Sequence, residues 1–319
     1  MVLPLLLWPC FGRRRTLAWT LAVRATAFGV RQFGASDVVP VAFRQNLAMP
    51  TTAVDRYLDL ILETINGSVY GEQTVFEPAD SRLVSTSAVK AVLQRAGAKA
   101  LVARAVPASA YERGVGWPSS RTHFGQSMVG RKRLQNVRYA AETVLAENVP
   151  GDLIETGVWR GGSCILMRAV LAAHGDSSRK VFVADSFQGL PPADVDDDAA
   201  DLHEDTTLAI SQAQVRAAFE SYDLLDEQVV FLEGWFSDTL PGLKGTAWSV
   251  IRLDGDMYQS TMDGLVNLYP DVSPGGFVIV DDYNTYESCR RAVDEYREAN
   301  GITDEMHQID DDGVYWRRA

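Results

Sequence analysis

Four histidines and three cysteines are few for 319 residues, and their placement excludes several chemistries. Cys10, Cys164 and Cys289 show no C-x-x-C spacing. They suggest neither a disulfide framework nor a zinc site, and point to a reducing compartment, the cytoplasm. None of the histidines has metal-ligand spacing, which argues against a metal-dependent enzyme that hydroxylates natural products. A basic excess is also missing. The formal net charge is −12, and a nucleic-acid binder needs a basic face. No apolar run approaches the roughly 20 residues of a membrane span, and no solenoid or propeller repeat is present. The dinucleotide fingerprint G-x-G-x-x-G is absent too, and no Walker lysine follows the glycine-rich turn after Asp152–Thr156.

What is there begins with two short apolar runs that both end in paired acids. Ser249-Val250-Ile251-Arg252-Leu253 runs into Asp254-Gly255-Asp256, and Phe277-Val278-Ile279-Val280 runs into Asp281-Asp282. Short β-branched runs bounded by turn signals read as buried parallel strands. The helical spacing of Thr261 to Tyr269 lies between them, and Ser273-Pro274-Gly275-Gly276 is expected to stop it. A β–α–β unit sets the two strands parallel and close, with both acidic pairs at carboxyl ends, where open α/β sheets bind ligands. Carboxylates this close repel unless a cation or a shared proton compensates. A hard divalent metal with oxygen ligands is the simplest resolution.

Upstream, Asp152-Leu153-Ile154-Glu155-Thr156-Gly157 reads as a strand entering the turn Gly157-Val158-Trp159-Arg160-Gly161-Gly162-Ser163 and then a helix from Cys164. Strand, glycine turn and helix open a doubly wound fold, and the glycines let backbone approach a ligand. Glu155 would repel a pyrophosphate and welcome an ammonium, which points to a ligand with an amino acid moiety such as S-adenosylmethionine. The next strand, 180–184, ends in Asp185-Ser186, with Asp185 placed to accept ribose hydroxyls. A third, 228–232, ends in Glu233-Gly234-Trp235-Phe236, whose aromatics suit an adenine. The donor's site is expected to comprise Glu155, Thr156, Gly157, Gly161, Ser163, Asp185, Ser186, Gly234, Trp235 and Phe236. Met128 joins them from a glycine-rich lid over 111–130. The acidic run from Asp194 to Asp205 reads as a solvated loop.

The chain divides at Met49. Residues 1–48 are rich in arginine and poor in acids, and are expected to be a poorly ordered extension ahead of a native start at Met49. A targeting or membrane-surface arm is the rival reading. Residues 49–150 are expected to form a helical and lid region, with helices over 54–66, 86–104 and 131–147. Residues 151–319 are expected to be the catalytic domain. It closes with an amphipathic helix over 287–299 and a hairpin around Asp310-Asp311-Asp312-Gly313, as in a seven-stranded, mostly parallel methyltransferase sheet with a terminal antiparallel strand.

Four stretches together carry a resemblance: Ile154 to Gly162, Asp185-Ser186-Phe187, Leu253-Asp254-Gly255-Asp256-Met257-Tyr258 and Val280-Asp281-Asp282-Tyr283. They resemble the macrocin O-methyltransferase (TylF-type) family, from about Met49 to the C-terminus. The resemblance implies a class I, Rossmann-like fold, S-adenosylmethionine as donor, Mg²⁺ as cofactor and the deoxysugar of a macrolide or aminocoumarin antibiotic as acceptor. It also implies Asp254, Asp281 and Asp282 as metal ligands and Asp256 as general base. His123 on the lid is a rival base. A catechol-type or other small-phenol O-methyltransferase, and a non-catalytic nucleoside- or metal-binding protein, stay open as alternatives. The expected partner is a glycosylated small molecule, with no nucleic acid and no membrane span; a homo-oligomer is left open.

Overall fold

The computed structural model describes residues 52–70, 74–78, 101–105, 111–112, 125–193 and 202–319, with backbone alone at 74–78 and 101–105. The chain divides into two compact units, and the larger, 52–77 with 103–319, carries the seven-stranded sheet and the site. The extension 1–48, Trp117 and His123 lie outside the described residues. So does most of the helix expected over 86–104. Its last residues are instead in strand β2 (Leu101–Ala105), which forms a separate two-stranded sheet with β1 (Thr74–Pro78). The β-branched Val102 favours that outcome over the alanine-based helical reading.

The main sheet has seven strands in the order β5-β4-β3-β6-β7-β9-β8. The first five, β3 (Asp152–Thr156), β4 (Val181–Asp185), β5 (Val229–Glu233), β6 (Trp248–Leu253) and β7 (Val272–Val280), run parallel. β9 (Val314–Arg317) joins β7 antiparallel and β8 (His307–Gln308) closes the edge. This is the expected seven-stranded architecture, and the order reverses between β3 and β6, the switch point at which such sheets open a crevice. β7 starts earlier than the sequence suggests. Ser273-Pro274-Gly275-Gly276, expected as a stop, lies inside it. Trp248 pairs with Val272 but Val250 with Phe277, so the extra residues bulge outward, where an exposed proline costs no ladder bond.

Helices cover both faces. α1 (Ala53–Asn66) begins with a capping box between Thr52 and Asp55 and ends at Gly67 in the left-handed region (φ 87°). Its Leu58, Ile61, Leu62 and Ile65 recur at helical spacing on one stripe and are buried. That stripe packs on α3 (Gly162–Ala173), as does α2 (Arg131–Ala146) through Leu134, Val137, Ala141 and Val144. Between the sheet and these helices, α3 is buried from Gly162 to Leu171. The one charge there, Arg168, reaches Asp226 beside β5. α4 (Gln212–Ser221) completes this face, and α5 (Tyr258–Leu268) with α6 (Glu287–Ala299) covers the other. No described helix is long and apolar enough to cross a membrane.

Close packing of backbone sets the strand ends. At the end of β3, Gly157 has φ 86°, and a Cβ built there would lie 1.8 Å from the Asp254 carbonyl oxygen. Gly175 also has positive φ (70°) but faces open space. Gly175→Ala should therefore cost only the left-handed conformation, about 1–2 kcal/mol. Gly157→Ala should cost distinctly more, because backbone must also move. Urea unfolding of both variants checks this, and equal costs would show that the two strand ends yield freely.

Candidate active site

Every element of the site sits at the carboxyl edge of the parallel strands. After β3, the chain turns at Gly157 and enters α3 through Gly161 (φ 84°). Asp185 ends β4, and its two oxygens accept the backbone N–H groups of Val158 (2.8 Å) and Phe187 (2.7 Å). Burial raises its carboxyl above the ordinary range, and those N–H donors oppose the rise. After β5, the Gly234 N–H donates to the Asp185 carbonyl (3.0 Å), which brings Trp235 and Phe236 to the same crevice. The segment 125–130 is pinned above. Gln126 N–H donates to the Ile65 carbonyl, Gly162 N–H to the Gln126 carbonyl, and the Asn66 amide to the carbonyls of Tyr111 and Val129.

Among the described residues, two neighbouring cavities open here. The larger, about 490 Å³, is lined by Met128, Gly157, Asp185, Ser186, Gly234, Trp235 and Phe236, and further by Trp159, Leu190, Leu208 and Gln259. The smaller, about 270 Å³, is bounded by Gln126, Ser127, Arg133, Glu155, Ser163, Asp281, Asp282, Tyr286 and Asp312. Met128, Trp159, Leu208, Asp254 and Asp256 line both, so the compartments meet at the first acidic pair. Seven of the residues expected around the donor thus surround one cavity. Glu155 and Ser163 lie on the other. Thr156 and Gly161 line neither: the Thr156 carbonyl accepts the Asp254 N–H, and a Cβ at Gly161 would meet Val215.

The aspartates separate into two kinds. Oxygens of Asp254, Asp256 and Asp282 lie within 4.8 Å of one another. Asp281 is held by two guanidiniums, Arg133 on Oδ2 and Arg252 on Oδ1. Arg252 also donates to Asp254 (2.7 Å) and to Glu155, whose other oxygen accepts the Cys164 thiol (2.8 Å). Among the described residues, no arginine pairs with Asp256 or Asp282. Burial first, and then neighbouring carboxylates, raises the acids. Asp254 lies above its usual value, Asp282 well above it, and Asp256 is pushed up to about 8 by burial, Asp254 and Asp281. Burial likewise lifts Glu155 to about 7, against the pull of Arg252. Asp256 further has φ 58°, a left-handed conformation uncommon outside glycine, asparagine and aspartate. Such a cluster must hold protons or take a cation, and an all-oxygen donor set fits a hard divalent ion.

The residues sequence reasoning missed are the arginines. Arg252 is the one charge in an otherwise apolar central strand, and a charge buried there must be paired. That was visible in Ser249–Leu253. Arg133 gave no such signal, because its partners Asp281, Asp310 and Asp312 are distant in sequence.

The profile of the macrocin-O-methyltransferase (TylF) family matches residues 54–318. The 8-demethyl-8-(2,3-dimethoxy-alpha-L-rhamnosyl)-tetracenomycin-C 4'-O-methyltransferase of Streptomyces olivaceus is 58% identical over 206 residues, 63% of this chain and 77% of that protein. The demethyldecarbamoylnovobiocin O-methyltransferase of Streptomyces niveus is 47% identical over 267 residues, 82% of this chain and 93% of its own length. Among solved structures, the O-methyltransferase NovP is similar at a TM-score of 0.69 and 44% identity, over 83% of this chain and 99% of that one. Match and fold agree: the chain belongs to the macrocin O-methyltransferase (TylF) family and is an S-adenosylmethionine-dependent O-methyltransferase.

Proposed function

We propose that this enzyme methylates a sugar hydroxyl of a glycosylated natural product, with Mg²⁺ in the strand-end cluster. Macrolide or aminocoumarin deoxysugars are the acceptor class. The observation that carries the reading is the meeting of two cavities at Asp254 and Asp256. The larger has what a nucleoside needs, an acid at the end of β4 and aromatic surface at Trp235 and Phe236. The smaller is polar and acidic, which suits a neutral polyol. The rhamnosyl group in the name of the Streptomyces olivaceus relative supports a sugar acceptor.

Asp254 and Asp282, with Asp281, would hold the cation. Each oxygen of Asp281 accepts from one arginine and keeps lone-pair capacity. When bound, a divalent ion lowers the pKa of a coordinated hydroxyl and orients it. The remaining work falls to the chain. Asp185 fixes the donor by its ribose, and Met128 bounds both compartments where they join. Asp256, without an arginine partner among the described residues and placed on that junction, would receive the hydroxyl proton on a carboxylate oxygen. The freed oxygen would bond to the donor's methyl carbon as the carbon–sulfur bond breaks and the neutral thioether leaves, and holding the two reactants in contacting cavities would supply much of the acceleration.

Two measurements test this. By calorimetry, Asp185→Ala should weaken S-adenosylmethionine binding by about 1.5–3 kcal/mol, the worth of charge-assisted hydrogen bonds. Tighter binding of NAD than of S-adenosylmethionine would refute the donor site. In turnover, read as methyl mass gain on a panel of desmethyl glycosides, Asp256→Asn should keep donor and metal affinity and lose about 10²–10⁴-fold in kcat. Asp254→Asn and Asp282→Asn should instead weaken Mg²⁺ affinity, with rate partly restored by excess metal. EDTA should stop the wild type reversibly. Undiminished turnover in EDTA would remove the cation from the reaction.

A further inference from the structure

Arg252 has no role in the reaction described so far, yet it is buried and holds three acids at once. It sits on β6 opposite Glu155 of β3 and Ile279 of β7, and it is 1% exposed. One guanidinium donates to Glu155, Asp254 and Asp281, and so spans the ends of three adjacent strands. Stability alone is a poor reason for it, because well-packed apolar residues of similar volume generally serve a buried position as well as an ion pair. Charge alone is a poor reason too: a fixed positive charge repels a divalent cation. Geometry is what remains. A planar guanidinium presents its N–H groups at fixed angles, which a lysine ammonium cannot reproduce.

We infer that Arg252 is a positioning residue whose planar fork, anchored by Glu155, sets the spacing and direction in which Asp254 and Asp281 are offered to a divalent cation. The inference rests on the proposal that the cluster holds such a cation. It also gives Glu155 a different task from meeting the donor's ammonium directly. The Glu155 carboxylate aims Arg252, and Arg133 fixes the remaining oxygen of Asp281 from α2.

Mn²⁺ is the probe, titrated into the full chain without acceptor and followed by loss of the free-ion electron paramagnetic resonance signal. S-adenosylhomocysteine affinity is measured alongside by calorimetry. Arg252→Lys keeps the charge and loses the fork. The double variant Glu155→Gln with Arg252→Met removes one charge of each sign and keeps the net charge, so it decides the matter if the lysine variant fails to fold. In each, Mn²⁺ affinity should fall roughly 10–100-fold, the range for partners that orient metal ligands. S-adenosylhomocysteine affinity should fall by no more than about threefold, since neither position 155 nor position 252 lines the larger cavity and Asp254 is the one residue of its wall that Arg252 holds. Wild-type Mn²⁺ affinity in both variants, or tighter binding in Arg252→Lys, would overturn the inference while leaving the cation site intact. If the wild type binds no Mn²⁺, the cation proposal fails and this inference with it.

Discussion

Repulsion between carboxylates crowded at the ends of β3, β6 and β7 is the constraint on which the rest of the site depends. Glu155, Asp254, Asp256, Asp281 and Asp282 all reach one crevice, and all are buried or half-buried, where charge is screened less than in bulk water. Arg252 from below and Arg133 from the side answer part of that charge. Both must arrive in register. Arg252 depends on the parallel pairing of β3 with β6, and Arg133 depends on α2 lying against the sheet. The fold thus holds a charge arrangement that no local segment would adopt alone, and Asp256 and Asp282 are left without an arginine partner among the described residues.

Much of the architecture was legible because it is written in local periodicity. α1 announced itself by Leu58, Ile61, Leu62 and Ile65, and β6 and β7 by apolar runs closed with acids. The strand-end rule then placed Asp185, Gly234 and the four aspartates correctly at one edge. What could not be read was pairing between distant segments. Glu155 looked free to meet an ammonium, because nothing nearby in sequence shows that Arg252 claims it across the sheet. Gly275-Gly276 looked like a stop, because a bulge depends on the neighbouring strand's register, here the shift between Trp248 and Val250. Arg133 was silent for the same reason.

The segment 125–130 shows how a region without regular structure is still held in place. Its backbone bonds run to α1 at Ile65, to α3 at Gly162 and to the Asn66 side chain. Gly162 permits this approach, since a Cβ there would lie 2.6 Å from the Gln126 carbonyl oxygen. Met128 therefore reaches the junction of the cavities from a fixed base, and the boundary between the compartments belongs to the same packed body as their floor.

The reversal of strand order between β3 and β6 has a consequence for how the two cavities are walled. Asp185, Gly234, Trp235 and Phe236 come from strands on one side of that reversal, whereas Tyr286 and Asp312 come from connections on the other. The loop at 284–286 and the hairpin tip at 310–313 share no residue with the β4–β5 side of the larger cavity, although the tip is tied to the acids through the pairing of Asp310 and Asp312 with Arg133. The sheet therefore offers two halves joined along a seam of acids, and the short connections on one half bound the smaller cavity without contributing to the aromatic wall on the other.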